Sequence, residues 1–190
     1  MKLKVGVLGS TRGTSLQGVL DAIAAGSLHV DIALVLSDRE GAPILLRAAS
    51  HGIDAVFLDP RGLSREAYEE CVNQTLQHAG VQLVLMIGYM RIVSPAFVNA
   101  WRGRLLNVHP SLLPAFGGLM DKSVHEAVLA AGVAETGCTI HQVTEDVDAG
   151  PIVLQKRCAV LPGDTADTLK QRVQVLEQEA FVEVLRDWRA

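Results

Sequence analysis

Asn107 and His109 stand two residues apart in the run Leu105-Leu106-Asn107-Val108-His109-Pro110, and Pro114 follows five residues after the histidine. Leu105–His109 reads as a strand, on which side chains at i and i+2 leave the same face. An amide that donates through N–H and an imidazole that donates or relays a proton would therefore share one face. That pairing suits a carbonyl whose oxygen becomes negative during a group transfer. A lone strand histidine is more commonly a core residue bonded to backbone, so its neighbours decide the reading. Pro110 and Pro114 each fix their own φ and restrict the residue before them, which stiffens Ser111-Leu112-Leu113 and the strand's exit. A reacting carbonyl needs its partners at fixed positions, and such a stretch supplies that rigidity.

A carboxylate completes the set. Asp148 lies in Glu145-Asp146-Val147-Asp148-Ala149-Gly150-Pro151, where Gly150-Pro151 signals a turn. An acidic loop is ordinarily a solvated turn. Set beside His109, however, the Asp148 charge is expected to raise the imidazole pKa, orient the ring and hold a water for proton relay. His141, seven residues before Asp148, is expected to brace this cluster rather than react. His109, His141 and Asp148 could also ligate a metal, but their spacing matches no HExxH or Cys/His pattern, so a metal-free site is expected.

A second candidate is Gly9-Ser10-Thr11-Arg12-Gly13-Thr14-Ser15-Leu16-Gln17. A glycine-bearing turn from a first strand into a first helix presents backbone N–H groups and a positive helix end, which suit a phosphate. Thr14 and Ser15 would add hydroxyls, and Arg12 a supporting charge. It is neither a Walker loop nor a GxGxxG fingerprint, and a plain turn with a Ser or Thr helix cap reads equally well.

Alternating elements must position these groups. Leu3–Leu8, Val30–Leu36, Ala55–Leu58, Val81–Ile87 and Leu105–His109 are near-continuously apolar, as in strands covered on both faces. Between them, helices are expected over Leu16–Ala25, Ala42–Gly52, Ser64–Ala79 and Pro95–Trp101, with Ser64 and Ser94 as N-caps. Such alternation specifies a parallel sheet with right-handed crossovers. After a Pro- and Gly-rich loop, a helix over Lys122–Ala131, strands over Cys138–Val143 and Ile152–Val160, and a helix over Thr165–Trp188 close the chain. Ligands of open α/β sheets bind beyond the carboxyl ends of the strands, so the turns after the first, fourth and fifth strands matter most.

The totals set wider bounds. With 190 residues, 49% hydrophobic and 20% charged, one α/β domain over residues 1–190 with a substantial core is expected. A formal charge of −4 argues against nucleic acid as a partner. Cys71, Cys138 and Cys158 form no CxxC pair and read as reduced thiols. The opening Met1–Ser10 stretch has too short an apolar run for a signal peptide, and no segment has the length of a bilayer span, so a cytoplasmic protein without a membrane partner is expected.

Together these stretches resemble the folate-dependent formyltransferases, and within them the branch that formylates glycinamide ribonucleotide. The resemblance runs nearly end to end. It is carried by Ser64–Tyr68 (SREAY), Gly88–Pro95 (GYMRIVSP), Gly103–Pro114 (GRLLNVHPSLLP), Gly137–His141 (GCTIH), Val143-Thr144 and Asp148–Ile152 (DAGPI). It implies a single-domain, Rossmann-like α/β formyltransferase fold, with a mostly parallel sheet flanked by helices on both faces. The implied reaction moves the formyl group of the co-substrate 10-formyltetrahydrofolate to the amine of glycinamide ribonucleotide in de novo purine biosynthesis. It passes through a tetrahedral intermediate without a metal, in a monomer or homodimer.

The family's catalytic residues fall on Asn107, His109 and Asp148. Its folate contacts fall on Arg65, on Met90, Arg91, Ile92 and Val93, on Asn107, and on Thr144, Glu145, Asp146, Val147 and Asp148. The phosphate would meet Gly13, Thr14 and Ser15, and the sugar side the segment Gln174-Val175-Leu176-Glu177. Gln174 and Glu177 share a helix face; without the resemblance they would read as a solvent face. Two stretches depart from the usual pattern. Ser10–Ser15 replaces the common Ser-Gly-Asn-Gly-Ser-Asn, bringing in Arg12 and putting Ser15 in place of an Asn. The loop after Pro114 is longer, with Gly117 in place of a proline; His125 falls on the family's helix-start histidine and is expected to be structural. The rival readings are a formyltransferase of the same fold with another phosphorylated amine or a sugar nucleotide as acceptor, and a non-catalytic folate- or nucleotide-binding protein.

Overall fold

The computed structural model describes residues 2–189. Apolar, β-branched runs become strands and the amphipathic segments between them become helices. In chain order these are β1 (Leu3–Leu8), α1 (Thr14–Ala24), β2 (Val30–Ser37), α2 (Pro43–Ser50), β3 (Ala55–Phe57), α3 (Arg65–His78), β4 (Leu83–Met86), α4 (Pro95–Ala100), β5 (Leu105–His109), α5 (Lys122–Ala131), β6 (Glu135–Gln142), β7 (Ile152–Ala159) and α6 (Ala166–Asp187). The strands pair in the order β3-β2-β1-β4-β5-β6-β7. β1 to β5 run parallel, whereas β6 and β7 are antiparallel additions at one edge. This is the doubly wound, Rossmann-like arrangement expected from the strand–helix alternation.

Strand alternation splits the core into two layers. Leu83 and Leu85 of β4 pack with Leu16 and Val19 of α1, Ile44 of α2, and Val173 and Phe181 of α6. Val84 and Met86 face the other way, toward Tyr68, Val72 and Leu76 of α3 and Phe97 of α4. Each such side chain, fully buried, contributes roughly 1.5–3 kcal/mol of transfer free energy. The caps fall where expected: Ser64 accepts from Ala67 N–H, and Ser94 from Phe97 N–H with Pro95 at the first helical position. No helix among the described residues is long and apolar enough to cross a membrane.

Boundaries shift where tertiary pairing decides them. The expected strand over Val81–Ile87 shortens to β4, because the Val81 N–H is spent on the Leu76 carbonyl at the end of α3 (3.1 Å). β6 begins at Glu135, ahead of the expected Cys138, because Glu135 through Gly137 pair with Arg157 through Ala159 of β7. Strand order reverses on either side of β1, which carries β2 on one edge and β4 on the other. A crevice therefore opens beyond the carboxyl ends of β1 and β4, the usual ligand position in such sheets.

Candidate active site

The turn after β1, the loop after β4, the end of β5, the β6–β7 loop and the first half of α6 enclose a cavity of about 620 Å³. Asn107, His109, His141 and Asp148 all line it. The antiparallel register of β5 and β6 sets Asn107 directly opposite His141. As a result the Asn107 Nδ2 lies 3.3 Å from His141 Nε2. His141 Nδ1 faces the Gln142 carbonyl at 3.0 Å. A carbonyl can only accept, so Nδ1 carries the proton and Nε2 of the neutral ring accepts from the Asn107 amide. One N–H of the Asn107 amide is thereby spent and its second remains free to donate.

Asp148 joins the two histidines. Its Oδ2 is 3.3 Å from His109 Nδ1 and its Oδ1 is 3.5 Å from His141 Nε2. Gly118 N–H also donates to Oδ2, at 2.9 Å. Asp148 reaches this position with a left-handed backbone, φ 53°, uncommon for a residue with a Cβ and a form of strain that gathers at functional sites. Gly150 makes the turn possible, because a Cβ there would fall 1.8 Å from the Gln142 carbonyl oxygen. Burial favours the protonated acid, but the adjacent His141 ring, the Gly118 N–H and His109 outweigh it and hold the Asp148 carboxyl below its ordinary pKa.

His109 corrects an expectation. Burial is the largest influence on its ring, and it outweighs Asp148 and the Phe116 carbonyl, so the imidazole pKa is lowered rather than raised. The ring is only 3% exposed. Its Nε2 donates to the Phe116 carbonyl at 3.0 Å while Nδ1 faces Asp148. Both partners only accept, so the ring satisfies both only when doubly protonated, and burial opposes that charge. The Ser111–Pro114 segment is stapled as its prolines suggested: Thr139 Oγ1 donates to the Ser111 carbonyl (2.7 Å) and accepts from Leu113 N–H (3.0 Å).

The turn after β1 has no side-chain cap. Gly13 is the N-cap of α1 in a left-handed conformation, and among the described residues no side chain caps the helix. Ser15 neither caps nor stands free; its hydroxyl donates to Glu177 of α6. Gly13, Thr14, Ser15, Gln174 and Glu177 line one end, with Arg12 beside them. Met90, Arg91, Ile92 and Val93 line another part, with Thr144, Glu145, Asp146 and Val147. The Glu145 carboxylate is paired outward with Arg102.

Three expected residues stand apart from the cavity lining. Arg65 is exposed at the start of α3 and pairs with Glu66 (3.6 Å). Val175 is exposed, and Leu176 packs against the apolar core. Both point off the stripe because only positions three and four apart share a helix face. That same stripe contains one residue the sequence reading passed over, and a histidine of α5 expected to be structural stands near it. Lys170, four residues before Gln174, lines the cavity and pairs with Asp121 of the long loop. His125 also lines it, buried, with Nδ1 lacking any partner among the described residues; burial and then the Lys170 charge push its pKa down to about 4. The i, i+4, i+7 spacing of Lys170, Gln174 and Glu177 was the available signal.

A donor amide, two linked imidazoles and a carboxylate beside a large cavity can stabilise an oxyanion and move a proton. Comparison with known proteins agrees with that chemistry. The family model described as formyl transferase matches residues 3–185. The chain is 43% identical over 185 residues to the trifunctional purine biosynthetic protein adenosine-3 of Drosophila pseudoobscura pseudoobscura, covering 96% of this chain and 13% of that protein. It is 37% identical over 180 residues to the phosphoribosylglycinamide formyltransferase of Escherichia coli K12, covering 94% and 84% of the two chains. The solved glycinamide ribonucleotide transformylase 1 of Symbiobacterium toebii superposes with a TM-score of 0.92 at 42% identity, over 97% of this chain and 86% of that one. With its fold and nearly its whole length in agreement, this chain belongs to the formyl transferase family.

Proposed function

We propose that the chain transfers the formyl group of 10-formyltetrahydrofolate to the amine of glycinamide ribonucleotide, a step of purine biosynthesis. The observation that carries the reading is the chain of polar contacts from Asn107 through His141 and Asp148 to His109 along one wall of the cavity. The choice of acceptor is supported by the likeness to the Escherichia coli phosphoribosylglycinamide formyltransferase and the Symbiobacterium toebii glycinamide ribonucleotide transformylase.

The residues divide the work as follows. The folate would lie along Met90–Val93 and the Thr144–Asp148 loop, presenting its formyl group to Asn107. The acceptor's phosphate would meet the uncapped N–H groups after Gly13, with Thr14, and its sugar would meet Gln174 and Glu177. The amine resembles an α-amino group, with a reference pKa of about 8, so a useful fraction is neutral near pH 7. Its nitrogen bonds to the formyl carbon, and the carbonyl oxygen takes the electron pair. Asn107 donates its free N–H to that oxyanion. His109, neutral because it is buried, takes the proton released by the attacking nitrogen. The resulting imidazolium is stabilised by Asp148 and the Phe116 carbonyl. It then returns the proton to the folate nitrogen as the carbon–nitrogen bond to folate breaks.

Incubating the full chain with 10-formyltetrahydrofolate and following tetrahydrofolate release and acceptor formylation tests this reading. Release that depends on glycinamide ribonucleotide, with formylated product, is expected. Release at the same rate with water as the only acceptor would make the protein a hydrolase. Release only with an amino-sugar nucleotide would move it to another branch of the family.

A further inference from the structure

Asp38, immediately after β2, belongs to no part of the chemistry above and is not among the residues that line the cavity. Its carboxylate is nevertheless buried, with the side chain 8% exposed. Each oxygen is committed to a different loop. Oδ1 accepts from the Ser10 hydroxyl at 2.6 Å, in the turn after β1. Oδ2 lies 3.9 Å from the Arg91 guanidinium, in the loop after β4.

The Ser10 contact has a directional consequence. A serine hydroxyl has one hydrogen, and Asp38 takes it. The Ser10 oxygen is left as an acceptor, and the Met90 N–H donates to it at 3.0 Å. Ser10 N–H in turn donates to the Gly88 carbonyl at 3.0 Å. The two loops are thus joined by two hydrogen bonds of opposite direction, one of them oriented by Asp38. The approach is close enough that a Cβ on Gly88 (φ 60°) would lie 2.4 Å from the Thr11 hydroxyl oxygen. Arg91 completes the arrangement by lying 4.8 Å over the ring of Tyr68, itself fully buried.

We propose that Asp38 is a positioning residue that holds the phosphate-facing turn and the Met90–Val93 loop in one fixed geometry, so that donor and acceptor are presented to each other correctly. The proposal rests on the assignment of those two loops to the acceptor and the folate donor. Asn107, His109 and Asp148 stand on other elements, so loss of Asp38 affects binding ahead of chemistry. Asp38→Asn keeps an acceptor for Ser10 and loses the charge facing Arg91, whereas Asp38→Ala loses both.

The test is steady-state kinetics on the full chain with 10-formyltetrahydrofolate and glycinamide ribonucleotide, alongside thermal melting. The donor KM is expected to rise roughly tenfold in Asp38→Ala and by less in Asp38→Asn, on the scale of one charge-assisted hydrogen bond, with kcat at saturation within about threefold of wild type. A purely structural role would lower the melting temperature and the active fraction, and hence kcat, with the donor KM unchanged; that result overturns the proposal. If Asp38→Ala does not fold, Ser10→Ala removes the bond to Met90 while leaving Asp38 facing Arg91. A raised donor KM then supports the proposal, and an unchanged one overturns it. Should the wild type itself not formylate glycinamide ribonucleotide, the functional reading fails separately. Calorimetric binding of tetrahydrofolate then decides the role of Asp38: weaker binding to Asp38→Ala supports it, and equal binding overturns it.

Discussion

Asp148 holds its carboxylate 3.3 Å from Nδ1 of His109 while sharing its other oxygen with His141. Two opposed effects meet on the His109 ring, the charge that stabilises its protonated form and the burial that disfavours it, and burial prevails. Asp148→Asn removes the stabilising charge and leaves the burial. The His109 pKa is therefore expected to fall further. His109 starts from its neutral form, so activity falls as pH drops through that pKa, and this acid limb is expected at a lower pH in the variant than in wild type. The pH dependence of kcat for the two proteins checks this, and superimposable profiles would remove Asp148 from the proton path.

Asn107 is the residue best placed to meet a developing oxyanion, because His141 takes one of its N–H bonds and leaves the other. Asn107→Ala is expected to lower kcat by roughly 10²–10³, the scale for losing one oxyanion donor. Ground-state contacts to the rest of both substrates remain, so the KM values are expected to move by less than kcat. Near-wild-type turnover at saturating substrates would rule out the oxyanion role.

Period-two alternation sufficed to put Asn107 and His109 on one face of β5, and the paired prolines announced a stiff exit. What lies across the sheet was not legible. His141 sits opposite Asn107 only because β6 pairs antiparallel to β5 in one particular register, a long-range choice with no local signal. The direction of the His109 pKa was misjudged for a similar reason: a partner charge is visible in the sequence, whereas burial depends on the whole fold. Arg65 shows the limit of carrying over a position from relatives, since its side chain lies along the outer surface of α3, paired with Glu66. Lys170 was legible in principle. It stands one turn before Gln174 on the same stripe, but charged residues on a terminal helix ordinarily read as solvent-facing.

Lys170 places a cation in the cavity lining, paired with Asp121 of the loop that departs from the family pattern. A phosphorylated acceptor gains from that cation wherever the Asp121 pair yields to it. Lys170→Met is expected to raise the acceptor KM about tenfold, somewhat less than a fully buried charge-assisted hydrogen bond because water screens a partly exposed pair. The donor KM is expected to stay close to wild type. Steady-state kinetics varying each substrate in turn separates the two, and a change confined to the donor would contradict the assignment.

Glu177 carries a stability cost that its position explains. Burial pushes its carboxyl up to about 7 from the ordinary 4.5, against the opposing bond from Ser15 and the Lys170 charge. A raised pKa in the folded state means that the folded protein binds more protons than the unfolded chain between those two values, so stability falls as pH rises through that window. Below the lower value the carboxyl is neutral in both states and costs nothing extra. Above the upper one the folded protein holds a buried charge, at a cost on the order of 3 kcal/mol relative to acid conditions. Glu177→Gln removes the titration while preserving an oxygen that can accept from Ser15. The variant is therefore expected to melt close to wild type at pH 5 and several degrees higher at pH 8, a difference that thermal melts across the range would reveal. Equal melting temperatures at both pH values would mean that the carboxylate is solvated in the folded protein. A buried carboxylate kept at such a cost beside Ser15 and Gln174 fits a group retained for its ligand, as stability is commonly given up at binding sites. The same substitution is accordingly expected to raise the acceptor KM while it raises the melting temperature.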